Sequence, residues 1–418
     1  MEDFIIVFEN LKAIFSFLVS IWWLYTPVLL FLFLIVTFQN YTRTKFLAAQ
    51  EWVLLEIKGS RDVKQSPKAM DNVFTALHGI HDPPKWRDRF FKGKVQIWYS
   101  LEIVARQGSI HFYIRTLKSF KNLVESHLYA QYPNCEISPV YNDHISALPP
   151  DLKGGGYDLF GTEFILTKED AYPIRTYPLF EELNPGREPE DIRRIDPLAS
   201  ITEIFSSLNP LEYMGIQILA KPTGDDWVKK GQEVVDKLLG KTPKAKEDFL
   251  VGVVKFIDGL LPGASPAEAP KEEKEKKKDQ TPGQYEALKA VENALSKFGY
   301  ESGVRFIYLA PKDKFQRSHI AAIGGAFKQF STYNLNGFKM NKAASTKAKQ
   351  PFKEMKEFNK KTAMLGKFKT REFVEKPFIF TTEELASVFH FPDFSVKTPL
   401  IPRIEAKKGE PPVELPIS

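Results

Sequence analysis

From Ala13 to Phe38 the chain runs for 26 residues without a charged side chain, AIFSFLVSIWWLYTPVLLFLFLIVTF. At a helical rise of 1.5 Å per residue, about 20 residues already cross a hydrocarbon core of about 30 Å, so this length predicts a membrane-spanning helix. A secretory signal has a shorter apolar stretch, about 7–15 residues, and a basic start. Here the start is acidic (Glu2, Asp3, Glu9), and no small-residue cleavage site follows. Residues 1–45 are therefore expected to be a retained anchor, with a cleaved signal as the alternative. Lys12 is the one basic residue before the run, whereas Arg43 and Lys45 follow it. The positive-inside bias then gives a single-pass protein of the cytoplasmic membrane with most of the chain in the cytoplasm. Trp22, Trp23 and Tyr25 stand mid-run before Pro27, so these four anchor residues also admit a kinked or re-entrant helix.

The 418 residues taken together have the composition of folded domains, with 43% hydrophobic and 13% aromatic residues. A single cysteine, Cys135, excludes a disulfide framework and any multi-cysteine metal site, and favours a reducing compartment.

The pattern beyond the anchor predicts an α+β chain with two ferredoxin-like βαββαβ units. In the first, residues 46–145, Trp52–Ile57 reads as a strand and Ser66-Pro67 opens a helix with Met70, Val73, Phe74 and Leu77 on one face. Val95–Val104 and Ile110–Arg115 form a hairpin about Gly108, followed by a helix over Lys118–Gln131 and a strand over Cys135–Val140. In the second unit, residues 155–340, Glu163–Thr167 is a strand, Asp196-Pro197 starts a helix, and Ile204–Leu208 echoes Val73–Leu77. Tyr213–Ala220 and Val304–Leu309 read as its paired central strands, and Ala321–Phe330 as its second helix. Residues 222–301 then form an insertion between those strands. Helices are expected in it at Trp227–Leu239, Phe249–Leu261 and Gln284–Phe298, with a disordered Lys/Glu-rich tether at 263–283.

No motif for chemistry emerges. Gly240-Lys241-Thr242 lacks the glycine that a phosphate loop needs five residues earlier, where Val235 stands. His78, His81 and Asp82 lack a further metal ligand, and Cys135 lacks a histidine partner. The expectation is a non-enzymatic protein without catalytic residues, metal or cofactor. GSIHFYIR (108–115) loosely resembles a base-stacking strand without its Lys/Arg-Gly-aromatic spacing. Alternation puts Ile110, Phe112 and Ile114 in the core and His111, Tyr113 and Arg115 on a half-exposed face.

Charge is concentrated later. From Phe338 to Arg371 ten Lys and one Arg oppose two Glu, a net +9 in a chain of +6, so everything else sums to −3. Lys353, Lys356, Lys360, Lys361, Lys367, Lys369 and Arg371 are candidates for holding a polyanion such as DNA. The competing reading is a solvated basic connector over 341–380. Residues 381–418 are expected to hold a short helix, TTEELASVF, and then an extended arm. Phe389, His390, Phe391 and Pro392 are its candidate partner-docking residues.

The segments WVLLEI (52–57), PKAMDNVFTALHGI (67–80), FKGKVQIWYSLEI (91–103), IHFYIR (110–115) and NLVESHLYAQYP (122–133) resemble an uncharacterised membrane-anchored family of candidate-phylum bacteria. ELASVFHFP (384–392), VKTP (396–399) and EPPVELP (410–416) resemble the stretch that precedes the core of type IV secretion or conjugation coupling ATPases. The resemblance implies a docking subunit beside a separately encoded P-loop motor ATPase. It does not bring ATP hydrolysis with it, because the sequence reaches Ser418 without a P-loop. The alternative is a membrane-tethered nucleic-acid-binding protein that uses 338–371. The partners expected are thus a lipid bilayer, the motor and DNA.

Overall fold

Helix α1 (Trp22–Ala48) runs unbroken through Pro27 and turns its apolar side chains outward. The structure is a computed structural model that describes residues 12, 16, 19–59, 66–154, 156–182, 193–240 and 281–392. At 27 residues, α1 is long and apolar enough to cross a membrane, a property that a signal sequence shares. Trp22, Trp23 and Tyr25 occupy its first turn, so within α1 they mark an end and not the middle.

The strands are β1 (Trp52–Lys58), β2 (Tyr99–Arg106), β3 (Ser109–Leu117), β4 (Glu136–Pro139), β5 (Tyr157–Leu166), β6 (Glu181–Glu182), β7 (Arg193–Arg194), β8 (Tyr213–Pro222), β9 (Gly299–Pro311), β10 (Phe338–Met340) and β11 (Phe378–Thr381). The further helices are α2 (Lys68–Leu77), α3 (Trp86–Phe91), α4 (Lys121–Gln131), α5 (Ala199–Ser206), α6 (Asp226–Leu238), α7 (Pro282–Leu295), α8 (Arg317–Lys328), α9 (Lys353–Thr370) and α10 (Thr382–Val388). Two compact units result: Met1–Trp52 with Asp82–Ile97, and Val53–His81 with Trp98–Ser418.

Nine strands form one antiparallel sheet in the order β10-β5-β9-β8-β2-β3-β1-β4, with β11 also paired to β9. Two separate ferredoxin-like units are not shown. Instead β2 pairs with β8 from Tyr99↔Ala220 to Arg106↔Tyr213. The physical reason is that an unpaired strand edge leaves a row of backbone donors and acceptors open, and joining two edges satisfies both. The β8–β9 pairing expected from the sequence is present and antiparallel, with Tyr213 opposite Leu309 and Ile218 opposite Val304. Helices α6 and α7 lie where helical spacing predicts them. Phe249–Leu261 and residues 263–280 lie outside the described residues. Thr281–Gly283 do not belong to a tether: Thr281 caps α7 in a reciprocal box with Gln284, and Pro282 takes the first helical position.

Side chains alternate between the two faces of the sheet. One face carries Ile103, Phe112, Ile216 and Phe306 into a core with Phe74, Leu128, Phe205, Phe327 and Phe389. The other carries Val104, Tyr113, Leu159, Tyr213 and Ile307 against Met364, Leu365 and Phe368 of α9. Tyr113 is therefore buried, not half-exposed.

Two expectations about the C-terminal part are corrected. The basic stretch over 341–380 is not a solvated connector, because its apolar residues fold it into α9 and into β11, which pairs with β9 from Phe378↔Ser302 to Thr381↔Gly299. The short helix expected over Thr381–Phe389 is present, but the residues that follow it, up to Pro392, do not leave the body as an extended arm. Thr381 and Glu384 form a capping box that starts α10, and Phe389, His390, Phe391 and Pro392 are buried. The Phe389 ring meets Phe112 at 6.1 Å, and Phe391 meets Tyr132 at 5.0 Å. Each such side chain taken from water stabilises the fold by about 1.5–3 kcal/mol. Residues 393–418 lie outside the described residues.

Candidate polyanion-binding groove

The position of α9 is set by a row of polar side chains running straight across four strands. Glu163 of β5 is opposite Arg305 of β9, Arg305 is opposite Gln217 of β8, and Gln217 is opposite Glu102 of β2. All four are buried. Arg305 satisfies all five of its N–H groups there. Nε (3.2 Å) and Nη2 (2.8 Å) donate to Glu163 Oε1, and Nη1 donates to Gln217 Oε1 at 2.9 Å. Its remaining donors reach the carbonyls of Lys367 and Glu372, both at 3.0 Å, at the C-terminal end of α9. The Lys367 carbonyl also accepts from the backbone N–H groups of Arg371 and Glu372, and Glu372 lies just past the helix, so Arg305 ties the end of α9 to the sheet with two further hydrogen bonds.

Arg371 ends α9 in the left-handed conformation, φ 54°. Its guanidinium then turns back onto the sheet. Nε lies 2.5 Å from Glu102 Oε1, while Nη1 and Nη2 lie 2.7 and 3.0 Å from the two oxygens of Asp143. His144 Nε2 is 2.6 Å from Glu102, and its Nδ1 is 2.9 Å from the Tyr213 hydroxyl. Burial alone would push the Glu102 carboxyl up, but the Arg371 charge and the His144 hydrogen bond hold it well below the usual carboxylate range. Asp143 follows the same pattern, with burial opposed and outweighed by Arg371. Burial likewise opposes the Arg371 charge, and Glu102 and Asp143 outweigh it and push the guanidinium up. His144 and Glu102 are wholly shielded from solvent, so this Tyr–His–Glu chain has no access for a substrate. It clamps α9 to the sheet.

The next row of the sheet lets the helix approach. Gly161, Ile307, Gly215 and Val104 are register neighbours. A Cβ on Gly161 would strike Met364, and one on Gly215 would strike the Phe368 ring. Glycine in a strand interior often marks such a close approach.

Clamped there, α9 forms one wall of a groove of about 810 Å³ with β5, β10 and α8. Phe160, Phe164 and Phe338 line its floor, all buried. Arg317, Lys328, Lys339, Lys347, Lys353 and Lys361 line it against the carboxylates Asp158 and Glu357, six positive charges to two negative. Both carboxylates are engaged: Asp158 with Lys361 at 2.5 Å, and Glu357 with the Ala348 N–H at 3.1 Å. The Lys347 ammonium stands 5.7 Å above the Phe160 ring. A cationic rim over an apolar floor suits an extended anion that also carries flat apolar groups.

The structure separates the candidates of the basic segment. Lys353 and Lys361 line the groove, and Lys356 is exposed on α9 outside its lining. Lys360 ties down the carbonyls of Ala343, Ser345 and Lys347; Lys367 pairs with Glu375; Lys369 donates to Pro149. Arg371 is corrected from a polyanion contact to a buried clamp, since it is 4% exposed and fully paired. Phe389–Pro392 are not brought to any surface. Arg317 and Lys328 escape a sequence reading because they belong to α8, far from the basic run. Their one local signal is that both stand on the polar stripe of an amphipathic helix. His78 and His81 bond the carbonyls of Thr223 and Pro222 at 3.0 and 3.2 Å.

Compared with curated proteins, the chain matches none. Residues 37–403 match the family described as Domain of unknown function (DUF8128), a description that carries no activity, partner or link to secretion or conjugation. Because that match runs from the second half of α1 to beyond α10, the protein belongs to the DUF8128 family.

Proposed function

We propose that this is a membrane-tethered, non-catalytic protein that binds single-stranded nucleic acid in the groove between α8 and α9, with its body in the cytoplasm. The observation that carries the reading is the convergence of six cationic side chains, from α8, β10, α9 and the loop that holds Lys347, on one phenylalanine-floored groove. A single strand offers phosphates to the rim and unpaired bases to the floor. The test is a salt titration of oligodeoxythymidine binding to the full chain in nanodiscs. Log affinity is expected to fall linearly with log salt, with a slope of about −0.7 per phosphate engaged. Absent or salt-independent binding, or an equal affinity for duplex DNA, would overturn it.

The strand orders β4-β1-β3-β2 and β10-β5-β9-β8 are equivalent in sequence sense, which supports reading the sheet as two fused ferredoxin-like halves with the groove in the second. Docking of a separately encoded P-loop motor keeps the sequence resemblance as its support, since Phe389–Phe391 are committed to the core. Loss of motor co-purification on removal of residues 393–418 is the observation that reading needs.

A further inference from the structure

We infer that α3 and its flanks form a second membrane contact, which sits in the headgroup region of an anionic bilayer beside α1. This rests on the reading of α1 as a membrane span. Trp86, Phe90 and Phe91 pack into one aromatic cluster, with ring centroids 5.0–6.3 Å apart, yet Trp86 is 69% and Phe91 59% exposed. Two large apolar rings left exposed together on a six-residue helix, beside a third that is half-buried, call for a partner.

The contact with α1 identifies which partner. Phe90 meets Phe38 at 6.0 Å, and Phe38 is the last apolar residue before Gln39 and Asn40. One turn later, Gly93 lies against the Thr42 carbonyl so closely that a Cβ would collide with the backbone. The cluster is thus held at the level where the apolar stretch of α1 ends. Trp22 and Trp23, at the start of α1, lie about 24–30 Å along the axis from Phe38 and Thr42. That is close to one hydrocarbon thickness, so aromatic side chains mark both boundaries, as they do in membrane proteins.

Charge points the same way. Lys85, Arg87, Arg89, Lys92 and Lys94 surround the rings, opposed by Asp82 and Asp88. Arg43 and Lys45 of α1 add two more cations on that side. Aromatic rings that enter the interface with a basic collar facing the headgroups match an anionic leaflet, and a juxtamembrane basic cluster gains affinity there.

The experiment is photo-crosslinking of the full chain in nanodiscs of pure phosphatidylcholine and of an equimolar mixture with phosphatidylglycerol. Phe91→p-benzoylphenylalanine reports the cluster, and Leu30→p-benzoylphenylalanine reports the span. Lipid adducts are expected at both positions, with the yield at position 91 several-fold higher in the anionic discs. Combining Arg87→Gln, Arg89→Gln and Lys92→Gln should remove that preference. Lipid adducts at position 30 with none at 91, or crosslinks from 91 to protein alone, would overturn the inference and leave the span standing. Equal yields at 91 in the two discs would overturn the anionic assignment, and no lipid at either position would remove the span itself.

Discussion

The Arg371 guanidinium lies on the carboxylate of Glu102, 269 residues earlier in the chain, with Nε 2.5 Å from Oε1 and Nη2 3.1 Å from Oε2. Breaking a buried pair by removing one partner leaves the other charge uncompensated, at a typical cost of about 3–5 kcal/mol. Glu102→Gln and Arg371→Met should each destabilise the full chain by that order in denaturant unfolding. The double variant should lose less than the sum. Additive losses would show that the two residues do not act as a pair.

The same pair fixes a pH dependence. The Glu102 carboxyl is lower in the folded than in the unfolded chain, so its contribution is present above the ordinary value of 4.5 and fades as pH falls below it. Glu384 has the opposite sign. Burial raises its carboxyl to about 7, only partly offset by hydrogen bonds from Thr381 and Ile174. Its contribution is present below 4.5 and is lost as pH rises through about 7. Wild type and Glu384→Gln, unfolded in denaturant from pH 4.5 to 7.5, should therefore differ in slope whatever their absolute stabilities. Parallel curves would mean that Glu384 is ionised throughout.

Gly215→Ala places a methyl group in the Phe368 ring and should cost about 1–3 kcal/mol through overpacking. Faster hydrogen exchange confined to α9 is the expected signature. A neutral substitution would mean that α9 rides further from the sheet than the glycine floor implies.

Phe389→Ala should destabilise by about 3–5 kcal/mol, because the ring is fully buried among aromatic neighbours. A residue waiting on a surface for a partner would lose almost nothing. Thermal unfolding of the isolated full chain distinguishes the two.

Within the basic segment, charges should act by position and not by number. Lys353→Gln and Arg317→Gln, both at the groove, should each lower the salt slope of single-strand binding by about 0.7. Lys369→Gln, whose ammonium is turned to the Pro149 carbonyl, should leave it unchanged. Equal effects would indicate a diffuse basic surface with no defined groove.

The sequence alone determined what depends on neighbours along the chain. An uncharged run makes α1 apolar enough for a membrane, alternation and helical spacing place β1–β3, β8, β9, α2 and α7, and Thr381 with Glu384 starts α10. These are local consequences of backbone geometry, so a window of about ten residues contains them. The tertiary structure decided the rest. Whether β2 and β8 end two sheets or join one depends on edges meeting in space. Whether lysines are solvated, paired or gathered at a groove depends on what stands opposite each of them. His390, Phe389 and Phe391 lack periodicity, yet they are buried, with the two phenylalanine rings against Phe74 of α2, Phe112 of β3 and Tyr132 just after α4. Burial and electrostatic pairing are properties of the surroundings, and here the surroundings come from residues hundreds of positions away.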